Sequence, residues 1–202
     1  KKKTGLRDWF YIALLYDSGC RNQEILSLRL KDIRQTGSGG GNLSVTGKGN
    51  KFRITPVSIE VMEIFKEYSA EFHPAALPDE YLFYTVRQGI RTPMSPDNTA
   101  RFLIKYEKMM RQDMAGIPHL HPHLFRHTRA MHLYQAGMPL ALVSEWLGHS
   151  QLETTLIYAH ADTEMKRREV EKVIMAKKSI FTNESFKYAD DEEMIKKLYG
   201  LV

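Results

Sequence analysis

The chain has 202 residues, 43% of them hydrophobic, which is enough apolar material for one sizeable core and too little length for two well-packed ones. Its net charge of +5 suits a polyanionic partner without distinguishing DNA from RNA or an acidic membrane. A single cysteine, Cys20, excludes an internal disulfide, and no apolar run approaches the roughly 20 residues of a membrane span, so a soluble, cytoplasmic domain is expected.

From the start of the chain, Lys1-Lys2-Lys3 is not followed by a signal-peptide core, and the missing initiator methionine is read as excision from something longer. Leu6, Trp9, Phe10, Ile12, Ala13, Leu14 and Leu15 recur at helical spacing, and Ser18-Gly19 end that helix. A second helix is expected from Arg21 through Glu24, Ile25, Leu26, Leu28 and Leu30. Thr36 to Gly41 reads as a flexible glycine loop before two strands, Leu43 to Thr46 and Phe52 to Val57, joined as a hairpin by Gly47-Lys48-Gly49-Asn50. Ser58 opens a scaffold helix carrying Val61, Met62, Ile64, Phe65 and Tyr68. Pro74 to Pro78 is a loop, and Tyr81 to Tyr84 is a short strand. Ser95-Pro96 starts a helix that continues from Asn98 to Gln112. Arg87, Arg91 and Lys105 read first as surface charge and second as phosphate contacts.

Five of the eight histidines lie between His119 and His132. His123 and His127 stand one helical turn apart, as zinc ligands can. A hydrolytic metal centre needs carboxylates as well, and Leu124-Phe125 stand where a zinc-protease motif carries a glutamate, so no metal and no cofactor are expected. The helix bearing Arg126 packs through Ala130, Leu133 and Tyr134 and stops at Gly137-Met138-Pro139. Leu140, Val143, Trp146 and Leu147 give the apolar side of the next helix, which ends at Gly148 and leaves His149 just beyond it. Thr154-Thr155, Tyr158 and His160 follow.

Arginine forks, imidazoles and a phenol are groups suited to attack on a phosphodiester without a metal ion. Arg21-Asn22-Gln23-Glu24, Gly47-Lys48-Gly49-Asn50-Lys51, His123-Leu124-Phe125-Arg126-His127, Leu147-Gly148-His149 and Thr154-Thr155-Leu156-Ile157-Tyr158-Ala159-His160 occur in the order of the landmarks of the tyrosine recombinases, and the chain resembles that phage-integrase family over residues 5 to 160. The resemblance implies a mostly α fold with a small antiparallel β-sheet, an α+β class, over a catalytic domain of residues 1–162. A helical tail, 163–202, is expected to fold back or to dock on a neighbouring subunit.

It further implies that Arg21, Lys48, His123, Arg126, His149 and Tyr158 are the catalytic residues. Glu24 would brace Arg21, His127 would brace the fold, and Lys51 and Arg53 would touch neighbouring backbone phosphates. Tyr158 would attack double-stranded DNA with help from His123, giving a 3′-phosphotyrosyl link. Arg21, Arg126 and His149 would hold the phosphate, and Lys48 would protonate the departing 5′ oxygen. The expected assembly is a tetramer of recombinase subunits on two DNA sites, with the family's N-terminal DNA-clamping domain outside these residues. A type IB topoisomerase and a DNA-binding module with a dead site are the rival readings. His123, where topoisomerases generally carry lysine or arginine, disfavours the first, and the intact set of six disfavours the second.

Overall fold

The computed structural model describes residues 3–47, 49–149, 155–156, 167 and 170–171. The chain forms two compact units, Lys1–Ala161 and Asp162–Val202. In the first unit, α1 (Lys3–Ser18) supplies Phe10, Tyr11, Leu14 and Leu15 to the core, all with no exposed surface. That spacing keeps four large side chains on one face of the helix. Gly19, at φ +61°, ends α1 in a left-handed conformation, and its amide donates to the Leu15 carbonyl at 3.1 Å.

The second helix, α2, covers only Asn22–Ser27, short of the expected Leu30. Tertiary pairing overrides its propensity. Arg29 pairs with Tyr81 across an antiparallel bridge, while the Leu82 amide reaches the Leu28 carbonyl and the Leu30 amide reaches the Glu80 carbonyl. A 3-10 turn, Leu30–Asp32, then leads into β1 (Ile33–Gln35), a strand absent from the sequence expectation.

β1, β2 (Gly41–Thr46) and β3 (Phe52–Val57) form an antiparallel sheet in that order. The glycine stretch is the turn between β1 and β2, closed by the Thr36 amide on the Gly40 carbonyl at 2.8 Å. The β2–β3 hairpin is held by the Gly47 amide on the Lys51 carbonyl at 2.8 Å, with Gly49 and Asn50 at positive φ in the turn. Counting outward from that bonded pair, Val45↔Arg53 and Leu43↔Thr55 face inward through their backbone groups. Phe52, Ile54 and Pro56 therefore turn theirs to the outer edge of the sheet.

Side chains on β3 also alternate. Thr55 and Val57 are buried and Arg53 is half-buried, whereas Phe52 and Ile54 stand 64% and 57% exposed. Ser58 caps α3 (Ile59–Phe72), which brings Met62 and Tyr68 into the core. The following hairpin is displaced from expectation. Its strands are β4 (Tyr84–Arg87) and β5 (Ile90–Pro93), with Leu82 and Phe83 buried just before it.

α4 (Pro96–Met110) is joined to α2 by polar contacts: the buried Tyr11 hydroxyl donates to Asn22, whose amide donates to Thr99. α5 (Pro122–Gln135) and α6 (Leu140–Leu147) enclose a smaller core of Ala130, Val143 and Leu147. Among the described residues, no helix is long and apolar enough to cross a membrane.

Candidate active site

Two helix ends create the site. Gly148, at φ +65°, ends α6, and the amide of His149 reaches back to the Ser144 carbonyl at 3.0 Å. Gly19 ends α1 in the same way, and Arg126 spans the two ends. One arm of its guanidinium donates to the Gly19 carbonyl and the other to the Leu147 carbonyl, both at 2.7 Å. Arg126 is 4% exposed, so burial, followed by repulsion from Arg21, lowers its pKa to about 10. It stays charged at neutral pH, a cation fixed where water cannot screen it.

Arg21 stands at the N-terminus of α2. Its Nη1 donates to Glu24 Oε1 at 3.1 Å, and its Nη2 is 3.5 Å from the Gly148 carbonyl. Its backbone amide donates to the other oxygen of the same carboxylate at 2.8 Å. Arg21, Arg126 and His149 thus converge on Leu147-Gly148, although their segments are far apart in sequence. His123 lies on α5 three positions before Arg126, with its ring exposed. Lys48 and Tyr158 lie outside the described residues.

His149 is half-buried, and its Nδ1 is 2.8 Å from the hydroxyl of the buried Thr155. Burial first, then the charges of Arg126 and Arg21, lower its pKa to about 4. At neutral pH the ring is uncharged. In the tautomer in which the Thr155 hydroxyl donates to Nδ1, the remaining proton sits on Nε2 as a hydrogen-bond donor. Burial and the neighbouring His123 and Arg126 also hold His127 below its ordinary value.

Arg53 departs from expectation. Far from reaching outward to a phosphate, its side chain is 13% exposed and points into the cluster. Nη1 and Nη2 donate to the two oxygens of Glu24 at 3.1 and 2.8 Å, Nε donates to the Trp146 carbonyl at 3.2 Å, and Nη2 is 3.4 Å from Cys20 Sγ. Burial alone would raise the Glu24 carboxyl. The hydrogen bonds from Arg53 and the Arg21 amide, with both cationic charges, hold it below the usual carboxylate range. The available signal was the alternation of β3, in which Arg53 shares the inward face of Thr55 and Val57.

The other proposed cations are peripheral. Arg91 is tied to Glu80 at 2.6 Å and lies over the Tyr84 ring, whereas Arg87 and Lys105 are exposed. His119 pairs with Glu107 at 2.8 Å, and His132 lies 2.7 Å from the Tyr16 hydroxyl. Among the described residues, no three His, Cys, Asp or Glu side chains gather as a metal site. Beside the cluster, a cavity of about 590 Å³ opens between β3 and α6, lined by Phe52, Ile54, Pro56, Leu142 and Trp146 and reaching His149.

This is the fold of tyrosine recombinase catalytic domains. It overlays the XerH site-specific recombinase in its pre-cleavage complex with difH substrate at a TM-score of 0.68 and 26% identity, over 88% of this chain and 48% of that one. Residues 1–165 match the phage integrase family, and the chain belongs to that family. A tyrosine recombinase of Agathobacter rectalis is 32% identical over 161 residues, 79% of this chain and 49% of the relative. Tyrosine recombinase XerC of Bradyrhizobium diazoefficiens is 39% identical over 160 residues, 78% of this chain and 47% of the relative. The chain spans about half the length of these curated relatives.

Proposed function

We propose that this chain is the catalytic domain of a site-specific DNA recombinase that cuts and rejoins strands through a 3′-phosphotyrosyl intermediate, in the integration or excision of a mobile element. The observation that carries the reading is the convergence of Arg21, Arg126 and His149 on one turn. A phosphodiester accumulates negative charge on its equatorial oxygens as it passes through five-coordination, and cations already fixed there stabilise that state without reorganisation. Arg21 and Arg126 bind the two non-bridging oxygens, Arg126 through the second N–H that each terminal nitrogen keeps beyond its carbonyl contact, and the neutral His149 donates a further hydrogen bond.

Tyr158 is the nucleophile. A phenol of ordinary pKa near 10 must lose its proton during attack, and His123 assists that transfer. The phenol oxygen bonds to phosphorus, the bond to the 5′ oxygen breaks, and Lys48 gives that oxygen its proton. Attack of a 5′ hydroxyl from another duplex reverses the step, so neither ATP nor a divalent ion enters the balance. Double-stranded DNA is the substrate, and four subunits on two sites form the working assembly. Residues 1–162 carry the chemistry, and the tail, 163–202, docks on a neighbouring subunit through the stripe Met194, Ile195, Leu198 and Tyr199.

A duplex nicked beside the cleavage point traps the intermediate, because the small released fragment diffuses away. The expected result is a covalent protein-DNA adduct with the native chain and none with Tyr158→Phe. An adduct that survives this substitution removes Tyr158 from the role. Relaxation of supercoiled DNA without exchange between duplexes assigns the domain to the topoisomerase reading instead.

A further inference from the structure

Glu24 presents a difficulty for any anion-binding role of Arg21. It lies within hydrogen-bond distance of that guanidinium, so the pair alone is neutral and leaves little field for a phosphate. Arg53 changes this balance. Its two nitrogens take both carboxylate oxygens, and the one at 2.8 Å is closer than the Arg21 guanidinium contact at 3.1 Å. The group Arg21, Arg53, Arg126 and Glu24 then carries three positive charges against one negative, a surplus of two facing a phosphorane that gains negative charge.

Arg53 itself is poorly placed to touch DNA. Both arms of its fork and its Nε are engaged by Glu24, Cys20 and the Trp146 carbonyl. Its surroundings are shaped to hold it: a methyl group at Gly148 would fall 2.8 Å from Nη1, and one at Gly47 would fall 3.3 Å away. Both glycines belong to segments that carry proposed catalytic groups, the β2–β3 turn and the Leu147-Gly148-His149 run. Arg53 therefore links three parts of the site: the sheet, the start of α2 and the end of α6.

We infer that Arg53 is a positioning residue that offsets the charge of Glu24 and keeps the Arg21 guanidinium aligned and electrostatically free for the non-bridging oxygens of the scissile phosphate. This inference rests on the recombinase reading. Its test uses the full chain and single-turnover adduct formation at saturating DNA, on two nicked duplexes. One carries the ordinary phosphodiester. The other carries a methylphosphonate at the same position, in which a methyl group replaces one charged oxygen and removes the negative charge.

Arg53→Met is expected to slow adduct formation on the diester by about 10²-fold, in the range for losing one fixed donor to a developing oxyanion. On the neutral phosphonate, which has less need of Arg21, the deficit relative to the native chain should shrink to within about tenfold. Arg53→Lys keeps the charge but not the fork, and serves as the second variant should the first fail to fold. It is expected to show a smaller deficit with the same dependence on the substrate. Equal deficits on both duplexes, or no deficit on the diester, would overturn the inference, since damage to folding alone slows both substrates alike. Absence of adduct from the native chain on the diester would instead strike the recombinase reading itself.

Discussion

The neutral state of His149 follows from where its ring sits. Half-buried beside two guanidinium groups, it binds a proton far less readily than an exposed imidazole, with its pKa lowered to about 4 against an ordinary value near 6.5. A folded-state pKa below the unfolded one means that the unfolded chain binds more protons between these values. The stabilisation linked to this ring is complete above about pH 6.5 and is lost as pH falls toward 4. His149→Asn removes that titration. The native chain should therefore lose melting temperature faster than the variant between pH 6.5 and 4, as calorimetry would record, and parallel curves would refute the assignment.

Arg126 was legible as a functional residue because it falls in a run with two histidines. What the sequence could not convey is that its arms would be spent on the Gly19 and Leu147 carbonyls, a contact across 107 residues in one case. Arg53 runs against the rule that a cation on a short strand is ordinarily solvated. Its burial depends on Glu24, a partner 29 residues away that no local pattern reveals. Thr155 served only as a landmark in the sequence, yet its hydroxyl is the partner that orients the His149 ring.

The turn that ends α6 is the element on which the site depends most. A left-handed conformation costs a residue with a Cβ about 1–2 kcal/mol, and at Gly148 that Cβ would also press on the Arg53 guanidinium at 2.8 Å. Gly148→Ala should destabilise the domain by at least about 1–2 kcal/mol, the backbone cost alone. It should also reduce adduct formation at saturating DNA, as chemical melts and single-turnover assays would report. Retention of both native stability and native rate would mean that the turn relaxes freely.

Long elements with steady periodicity could be read in advance. α1, α3, α5 and α6 each bury one face, and glycine, serine or proline marks their ends. The β2–β3 hairpin was visible from its alternation and its glycine turn. β1 and β5, of three and four residues, were not, because strands so short are defined by the partner they pair with. The early end of α2 has the same origin. Leu28 and Leu30 continue a helical pattern, but their backbone groups are taken by the segment around Glu80 to Leu82.

For the whole molecule, the proposed assembly makes the tail separable from the chemistry. Truncation after Ala161 should leave affinity for a single DNA site within about threefold while abolishing the slower complex that holds two sites together, since linked contacts and not the individual site are lost. Gel-shift titration on one-site and two-site DNA distinguishes the two, and an undiminished two-site complex would exclude docking of the tail on a neighbour.

Copies gathered on DNA would be brought to high local concentration with an apolar sheet edge in view. The outer rim of β3 offers the amides of Phe52 and Ile54 beside exposed hydrophobic rings and chains, the ingredients of strand-to-strand adhesion. Pro56 interrupts that rim, having no hydrogen to donate and a ring that obstructs an incoming strand. A foreign strand could find only two donors before the register failed. In the proposed DNA-bound assembly, crowded copies would then escape the fibrous stacking that an unbroken edge would invite.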